Sequence, residues 1–401
     1  MLNQDQIAII NATVPAVKAH ARDITNCFYP LMFARYPEVK RYFNHTNQIQ
    51  GTQREALANA VIAYAGNIER LEALGDAVSL IAHKHCSLGI LPEHYPIVGE
   101  CLLAAISDVL GDAATEEVLS AWGAAYEQLA AILIGVEETI YEQNQQRLGG
   151  WRGERAFRLV DRVEESTLIT SYYLHPVDGE PLVSFLPGQY VGVVLHIHGE
   201  EIRRNYSLSD APDKHGIRIS VKREPDGVVS NYLHEHFVVG DEIAVTAPCG
   251  DFVLDDSQRP LVLLSGGVGI TPTISMLNTC VTSGREIIFI HAALNSQVHA
   301  FRDHVAELSA RYDNLKSFTI YDQALSGDTP DAKGYLSAEL LAQWLPENRD
   351  VELYFLGPKP FMQAVSGFVR ELKIPETQVH YEFFGPLQEL HADAVDMAVG
   401  Q

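Results

Sequence analysis

Near residue 150 the spacing between apolar side chains changes its period, and one kind of secondary structure cannot serve both periods. Up to Leu148 apolar residues recur every three or four positions: Leu57, Val61, Tyr64, Ile68 and Leu71, then Val98, Leu102, Ala105 and Val109, then Leu119, Trp122, Tyr126, Leu129, Leu133 and Ile140. That is the period of a helix with one buried face. Pro37, Gly51, Gly75, Pro92 and Gly111-Asp112 interrupt it, so about six or seven helices of unequal length are expected. The segment Arg147-Leu148-Gly149-Gly150-Trp151-Arg152-Gly153-Glu154 is glycine-rich and marks a joint. Beyond it, short alternating runs at 157–163, 168–174, 190–197, 217–221 and 242–245 are separated by turns such as Asp178-Gly179 and Pro187-Gly188, the pattern of a small antiparallel barrel. From Arg259 strands at 261–264, 286–290, 316–321, 351–356 and 379–383 alternate with helical stretches, which predicts a doubly wound parallel sheet. A chain of 401 residues exceeds one ordinary core. The expected fold class is therefore multidomain, α + β + α/β, with an all-α domain over 1–148, an antiparallel β-barrel over 151–258 and a doubly wound parallel-sheet domain over 259–401.

Charge narrows the partners. With 29 basic and 52 acidic side chains the net charge is 29 − 52 = −23, which repels nucleic acid and anionic membrane. The start, Met1-Leu2-Asn3-Gln4-Asp5-Gln6, has no basic region of a leader, and no run approaches the ~18 apolar residues of a membrane span. A cytoplasmic protein, and a monomer, is the expectation. Five cysteines, scattered and without C-x-x-C, argue against a disulfide frame or a zinc site.

Four sites in the second half carry chemistry. In Arg204-Asn205-Tyr206-Ser207 a cation, an aromatic ring and a hydroxyl lie close together on a strand, where a phosphate can meet the guanidinium and a flat ring the tyrosine. Upstream stands Pro187-Gly188-Gln189-Tyr190. Downstream, Gly227-Val228-Val229-Ser230-Asn231 feeds a short helix whose free N–H groups suit a pyrophosphate. Ser265-Gly266-Gly267-Val268-Gly269-Ile270-Thr271-Pro272 follows the apolar strand Leu261–Leu264, and Leu356-Gly357-Pro358 follows another, both at strand carboxyl ends. The glycine loop departs from G-x-G-x-x-G, so it is not a generic dinucleotide fingerprint.

Taken in order, these sites resemble the ferredoxin-reductase type of flavoprotein. The resemblance implies FAD held by Tyr190, Arg204, Asn205, Tyr206, Ser207, Gly227 and Ser230, with the terminal segment Phe383, Phe384, Gly385 and Pro386 covering the flavin ring. It implies NADH or NADPH held by Gly267, Val268, Gly269, Ile270, Thr271, Pro272, Gly357 and Pro358. The tail from Leu387 to Gln401 lies beyond the matched pattern.

In the first half, single polar residues interrupt apolar faces: Tyr29 beside Phe28, Gln53 one turn before Leu57, and His85 near the end of Ala77–His85. Each alone is ordinary. Together, Phe43 at a helix corner, Gln53 about ten positions on and His85 roughly thirty further describe a haem pocket. Periodicity alone leaves bundle and globin open. The strings Gln53-Arg54-Glu55-Ala56-Leu57, Lys84-His85-Cys86-Ser87 and Val98-Gly99-Glu100, with Tyr29, resemble the flavohaemoglobins, which join a globin to such a reductase. That resemblance implies haem b with His85 as proximal iron ligand, Phe43 wedging the haem, Lys84 pairing with a propionate or with Glu382, and Tyr29, Gln53 and Leu57 on the oxygen side. Glu137, with Glu138 as competitor, would partner the ligating histidine, and Tyr95 would complete the proximal set. The implied activity is nitric oxide dioxygenation: NO and O2 become nitrate with electrons from NAD(P)H through FAD to haem. A haem-based redox or oxygen sensor, or a flavin or ferric reductase with a structural helical domain, are the alternatives.

Overall fold

A computed structural model of the chain describes residues 2–43, 52–212 and 214–384, except the side chains of 52–56, 58, 59 and 72. Two compact units share the chain: residues 1–146 with 194–204, and 147–193 with 205–385.

Among the described residues the first unit holds six α-helices: α1 Gln4–Ala19, α2 Ala21–Arg35, α3 Thr52–Gly66, α4 Gly75–Leu88, α5 Tyr95–Leu110 and α6 Glu116–Gln146. Local chemistry sets their ends. Asn3 caps α1 in a reciprocal box, its Oδ1 accepting from the Gln6 N–H at 2.8 Å while Gln6 Oε1 accepts from the Asn3 N–H at 3.0 Å. Gly89 ends α4 in the left-handed region (φ 77°), and the Ile90 N–H returns to the His85 carbonyl at 3.0 Å. The core is where the apolar stripes meet: Ile10, Phe28, Met32, Ile106 and Trp122 are almost fully buried. Among the described residues helix α6, of 31 residues, is long and apolar enough by length and composition to cross a membrane, although Glu127-Gln128 interrupts its apolar run. Its Trp122, Ala125, Leu129 and Leu133 pack into this helical core.

The barrel strands are β1 Glu154–Glu164, β2 Ile169–Pro176, β3 Tyr190–Ile197, β4 Glu200–Ser207, β5 Ile217–Lys222 and β6 Glu242–Thr246, in the order β4-β3-β6-β1-β2-β5. β1 pairs antiparallel with β2 and β6, and β2 with β5. Alternation decides the faces: Phe157 and Leu159 on β1, and Tyr172 and Leu174 on β2, are fully buried. A register shift between Leu159 and Asp161 bends β1. Leu208, just past β4, bridges Ile219 on β5, so the two ends of the strand order meet and the sheet curls into a barrel.

The second sheet is parallel, in the order β10-β9-β8-β7-β11-β12, with β7 Leu261–Gly266, β8 Ile287–Ala293, β9 Leu315–Tyr321, β10 Ala332–Lys333, β11 Glu352–Leu356 and β12 Val379–Tyr381. Its central strands are buried on both faces, which explains why Leu261–Leu264 is an unbroken apolar run. From β7 the chain builds outward through β8 and β9, then returns to place β11 on β7's other side. The loops after β7 and β11 therefore meet at a switch of winding direction, where such sheets bind ligands. β12 stops at Tyr381, short of the expected 383, and Phe383 packs into the core with Leu353 and Phe355.

Candidate active site

His85 lies in the last turn of α4, facing α6 and the start of α5. Its Nδ1 is 2.7 Å from Glu137 Oε1 and 3.1 Å from the Tyr95 hydroxyl, which itself donates to Glu137 Oε1 at 2.5 Å. A carboxylate only accepts, so Nδ1 carries the proton and Nε2 keeps the lone pair a metal needs. Glu137 is 2% exposed. Burial first, and then the Glu137 carboxylate, pushes the Tyr95 phenol far above its usual range, so it stays a donor. The frame around the triad is stiff. The Tyr141 hydroxyl donates to the Ile90 carbonyl at 2.7 Å, tying α6 to the end of α4. The Tyr126 hydroxyl donates to the Tyr95 carbonyl at 2.8 Å, and its ring lies so close to Gly99 that a Cβ there would come within 2.6 Å. Tyr126 and Tyr141 were not singled out in sequence, where each is one more apolar position of a helix.

A second cluster gathers aromatic rings from α2 and the turn at Pro37–Tyr42. Tyr29 is 2% exposed, with its ring centroid 5.7 Å from Phe43, edge to face, and Phe33 lies 5.3 Å from Phe43. Leu57 on α3 packs partly buried against the same core. Lys84 is half-buried beside His85. The side chain of Gln53 lies outside the described residues.

The residues expected to meet flavin divide into those engaged in their own turns and core and those that reach the surface. Gly188 sits at φ 107° with Phe252 O only 2.1 Å from where a Cβ would be, so only glycine fits before Tyr190. On β4, Ser207 is buried, Arg204 and Tyr206 are half-buried and Asn205 is exposed. Helix α7, Val228–His236, starts at Gly227 with no side-chain cap. The Ser230 hydroxyl accepts from the Glu224 N–H at 3.1 Å and lies 3.3 Å from the Gly227 carbonyl. It laces the turn, and what faces outward for a phosphate is the helix N-terminus. Phe383 is in the core while Phe384 is 50% exposed, so of the two Phe384 presents its ring. Gly385 and Pro386 lie outside the described residues.

After β7, Gly267–Gly269 forms one tight turn into α8, Ile270–Cys280. A Cβ on Gly269 would lie 2.5 Å from Leu356 O and 2.9 Å from Gly357 N, so the two loops named in sequence touch, and glycine is what lets them. Gly266 and Gly357 both pack on the Phe361 ring. Ile270 is wholly buried in the core with its N–H returning to the Gly267 carbonyl, and the Thr271 hydroxyl donates to the Val268 carbonyl at 3.1 Å, so both are engaged within the turn. Val268 and Pro272 flank the same turn, and Pro358 precedes α9, Lys359–Glu371.

Directly behind this loop is a pair of histidines not anticipated in sequence. His291 Nδ1 is 2.8 Å from the Ser265 hydroxyl, His299 Nδ1 is 2.9 Å from the Tyr321 hydroxyl, and the two rings lie 4.5 Å apart. Each Nε2 is buried without a hydrogen-bond partner. Burial, then the neighbouring His299, holds His291 well below the ordinary range, and burial, then Arg302, brings His299 to about 4. Both rings are neutral. His291 lies inside an apolar strand and His299 follows the turn Ser296–Val298, so no local signal marks the pair.

The groups implied by the fold fit this donor set: an imidazole whose second nitrogen is held by a carboxylate suits a haem iron, and two glycine-opened helix N-termini suit phosphates. The fold and sites define a globin followed by an FAD- and NAD-binding oxidoreductase. Family descriptions match in that order, the globin over 26–133, the oxidoreductase FAD-binding domain over 157–254 and the oxidoreductase NAD-binding domain over 263–367. The flavohemoprotein of Pseudomonas aeruginosa is 52% identical over 98% of this chain and 100% of its own length, and that of Pseudomonas putida 54% identical over 97% and 100%. The chain belongs to the flavohemoprotein family. Among solved structures, the flavohemoglobin of Malassezia yamatoensis, with bound FAD and heme, covers 96% of this chain and 100% of its own at TM-score 0.86 and 26% identity. The FAD/NAD-binding domain of nitric oxide dioxygenase from Vibrio cholerae covers 58% of this chain and 99% of its own at TM-score 0.54 and 34% identity.

Proposed function

We propose that this NAD(P)H-dependent oxidoreductase acts as a nitric oxide dioxygenase, turning NO and O2 into nitrate. The observation that carries the reading is the Glu137–His85–Tyr95 triad, in one chain with two dinucleotide-type sites. When bound, haem supplies oxygen binding and one-electron chemistry, and FAD divides a hydride from NADH or NADPH into single electrons. The residues do the rest. Glu137 holds the Nδ1 proton, which makes His85 a stronger donor at Nε2. Tyr95 fixes the carboxylate, Phe43 and Leu57 keep the pocket beside Tyr29 apolar, and Tyr29 with Gln53 supply hydrogen-bond donors there. Lys84 would be placed to pair with a haem propionate. Arg204, Tyr206 and Ser207, with Tyr190, Asn205, Gly227, Ser230 and the 383–386 segment, hold the flavin, and the 267–272 and 357–358 loops hold the nicotinamide dinucleotide. The proposal includes the domain limits 1–148, 151–258 and 259–401, a monomer, and a cytoplasmic location. Anaerobic reduction of the purified protein by NADH, then oxygen and nitric oxide with nitrate counted, tests the reaction. Nitrate in step with NADH consumption is expected, and reduction without nitrate would leave only a reductase.

A further inference from the structure

Arg203 is a cation only 7% exposed, one residue before the Arg204 that the reading above gives to flavin. Alternation along β4 turns these two side chains to opposite faces. Residues 194–204 share a compact unit with the helices, and Arg203 reaches among them. Its Nη1 donates to the Leu88 carbonyl at 2.9 Å, and its Nε donates to Glu201 Oε1 at 2.7 Å, with Nη2 at the same distance. Leu88 ends α4, where the last carbonyls of a helix gather partial negative charge, so a guanidinium there completes the cap that Gly89 begins. Gly89 leaves room for it: a Cβ would stand 2.7 Å from Arg203 Nη1. The guanidinium also lies over the Tyr42 ring, 5.3 Å from its centroid, and that ring is 4.7 Å from the ring of His94.

A buried cation is costly unless paired. Glu201 supplies the pair, with Arg41 Nη1 3.4 Å from its other oxygen. The placement is what gives the cation a role. Leu88 follows His85 in the last turn of α4, Tyr42 directly precedes Phe43, and His94 directly precedes Tyr95. The elements that carry these haem-side residues thus meet around one guanidinium, and it comes from the strand that carries Arg204.

We propose that Arg203 is a positioning residue that holds the last turn of α4, and His85 with it, in fixed register with β4. The consequence for electron flow rests on the reading above, which gives His85 to haem and Arg204 to flavin. Rates are sensitive to such placement, since a shift of about 1 Å can cost on the order of a hundredfold.

In the holoprotein, Arg203→Met keeps the stem and removes the guanidinium. Amide hydrogen exchange over 86–90 should quicken. In anaerobic stopped flow with NADH, the reduction of ferric haem, one electron per iron from flavin that NADH has reduced, should slow by roughly tenfold. Flavin reduction by NADH and the haem and FAD contents should stay at parent levels. Arg203→Lys keeps a donor for the Leu88 carbonyl but loses the fork onto Glu201, so it should fall between the two. Faster exchange with haem reduction at the parent rate would make Arg203 a packing residue only and overturn the proposal, as would unchanged exchange. Should Arg203→Met not fold, Glu201→Gln removes the pairing charge and should give the same two changes in smaller measure; no change in either sinks the proposal. If exchange and haem reduction respond while no nitrate forms, the positioning role stands and the dioxygenase reading falls.

Discussion

Two histidine arrangements, one in each compact unit, share an ingredient and differ in what surrounds it. At His85 the partner is a carboxylate, Glu137 at 2.7 Å, and the side chain is 32% exposed, so one nitrogen is anchored and the other faces outward. At His291 and His299 the partners are hydroxyls, both rings are at most 4% exposed, and the outward nitrogens meet only protein interior. A carboxylate adds electron density to the ring and suits it to hold a metal. A hydroxyl in a dry interior adds little charge and leaves the ring neutral, an element of packing behind the 267–272 loop. The partner and the access, rather than the histidine, set the chemistry.

The sharpest way to break this contrast is to remove the first ring. His85→Ala should lose stoichiometric haem while keeping FAD, seen as the absence of a Soret band beside an intact flavin spectrum. Full retention of a histidine-type five-coordinate spectrum would show that another residue holds the iron.

Next in size is the partner. Glu137→Gln keeps the shape and an accepting oxygen but removes the charge, and haem affinity or turnover should fall by about 10- to 100-fold. The iron–histidine stretch in resonance Raman should move to lower frequency. An unmoved stretch would mean that the carboxylate only packs.

The third change concerns protons. His299 titrates at about 4 when folded, against 6.5 for an unperturbed histidine, so between those values the unfolded state binds more protons and stability rises with pH. The contribution is complete above pH 6.5 and is lost as pH falls towards 4, on the order of 3 kcal/mol. Arg302, Asp303, the His291 ring and the Tyr321 hydroxyl face this group. Denaturant midpoints of the reductase transition should fall over that window, and His299→Gln should flatten the slope. An equal slope in the variant would place the acid sensitivity elsewhere.

The smallest effect is expected at Ser265→Ala, which strips His291 Nδ1 of its partner in a fully buried place. The cost should be about 1 to 3 kcal/mol in reductase stability, with a weaker apparent affinity for NADH and an unchanged haem spectrum. A change in the haem spectrum would contradict the separation of the two sites.

Several of these features were legible without coordinates because they are periodic or local. The change of period near Gly149 marks where helices give way to strands, and the all-apolar run Leu261–Leu264 shows a strand covered on both faces. Turn glycines are local too, and Gly188 and Gly269 stand where a Cβ would strike backbone oxygens. Glu137 and Glu138 are indistinguishable by composition. One step along a helix is a rotation of 100 degrees, and only the packing of α6 against α4 turns Glu137 inward to His85. The contacts of the Ser230 hydroxyl with its own turn and the packing of Phe383 against Leu353 and Phe355 are likewise tertiary facts that the sequence does not show. The His291–Ser265 and His299–Tyr321 contacts had no sequence signal at all. Both depend on side chains from separate elements meeting at contact distance, which the order of residues along the chain does not encode. What the sequence determined by itself was the succession of architectures and the glycines that keep their loops open. Which of Glu137 and Glu138 turns to His85, and which hydroxyls meet the two buried histidines, was decided by packing alone.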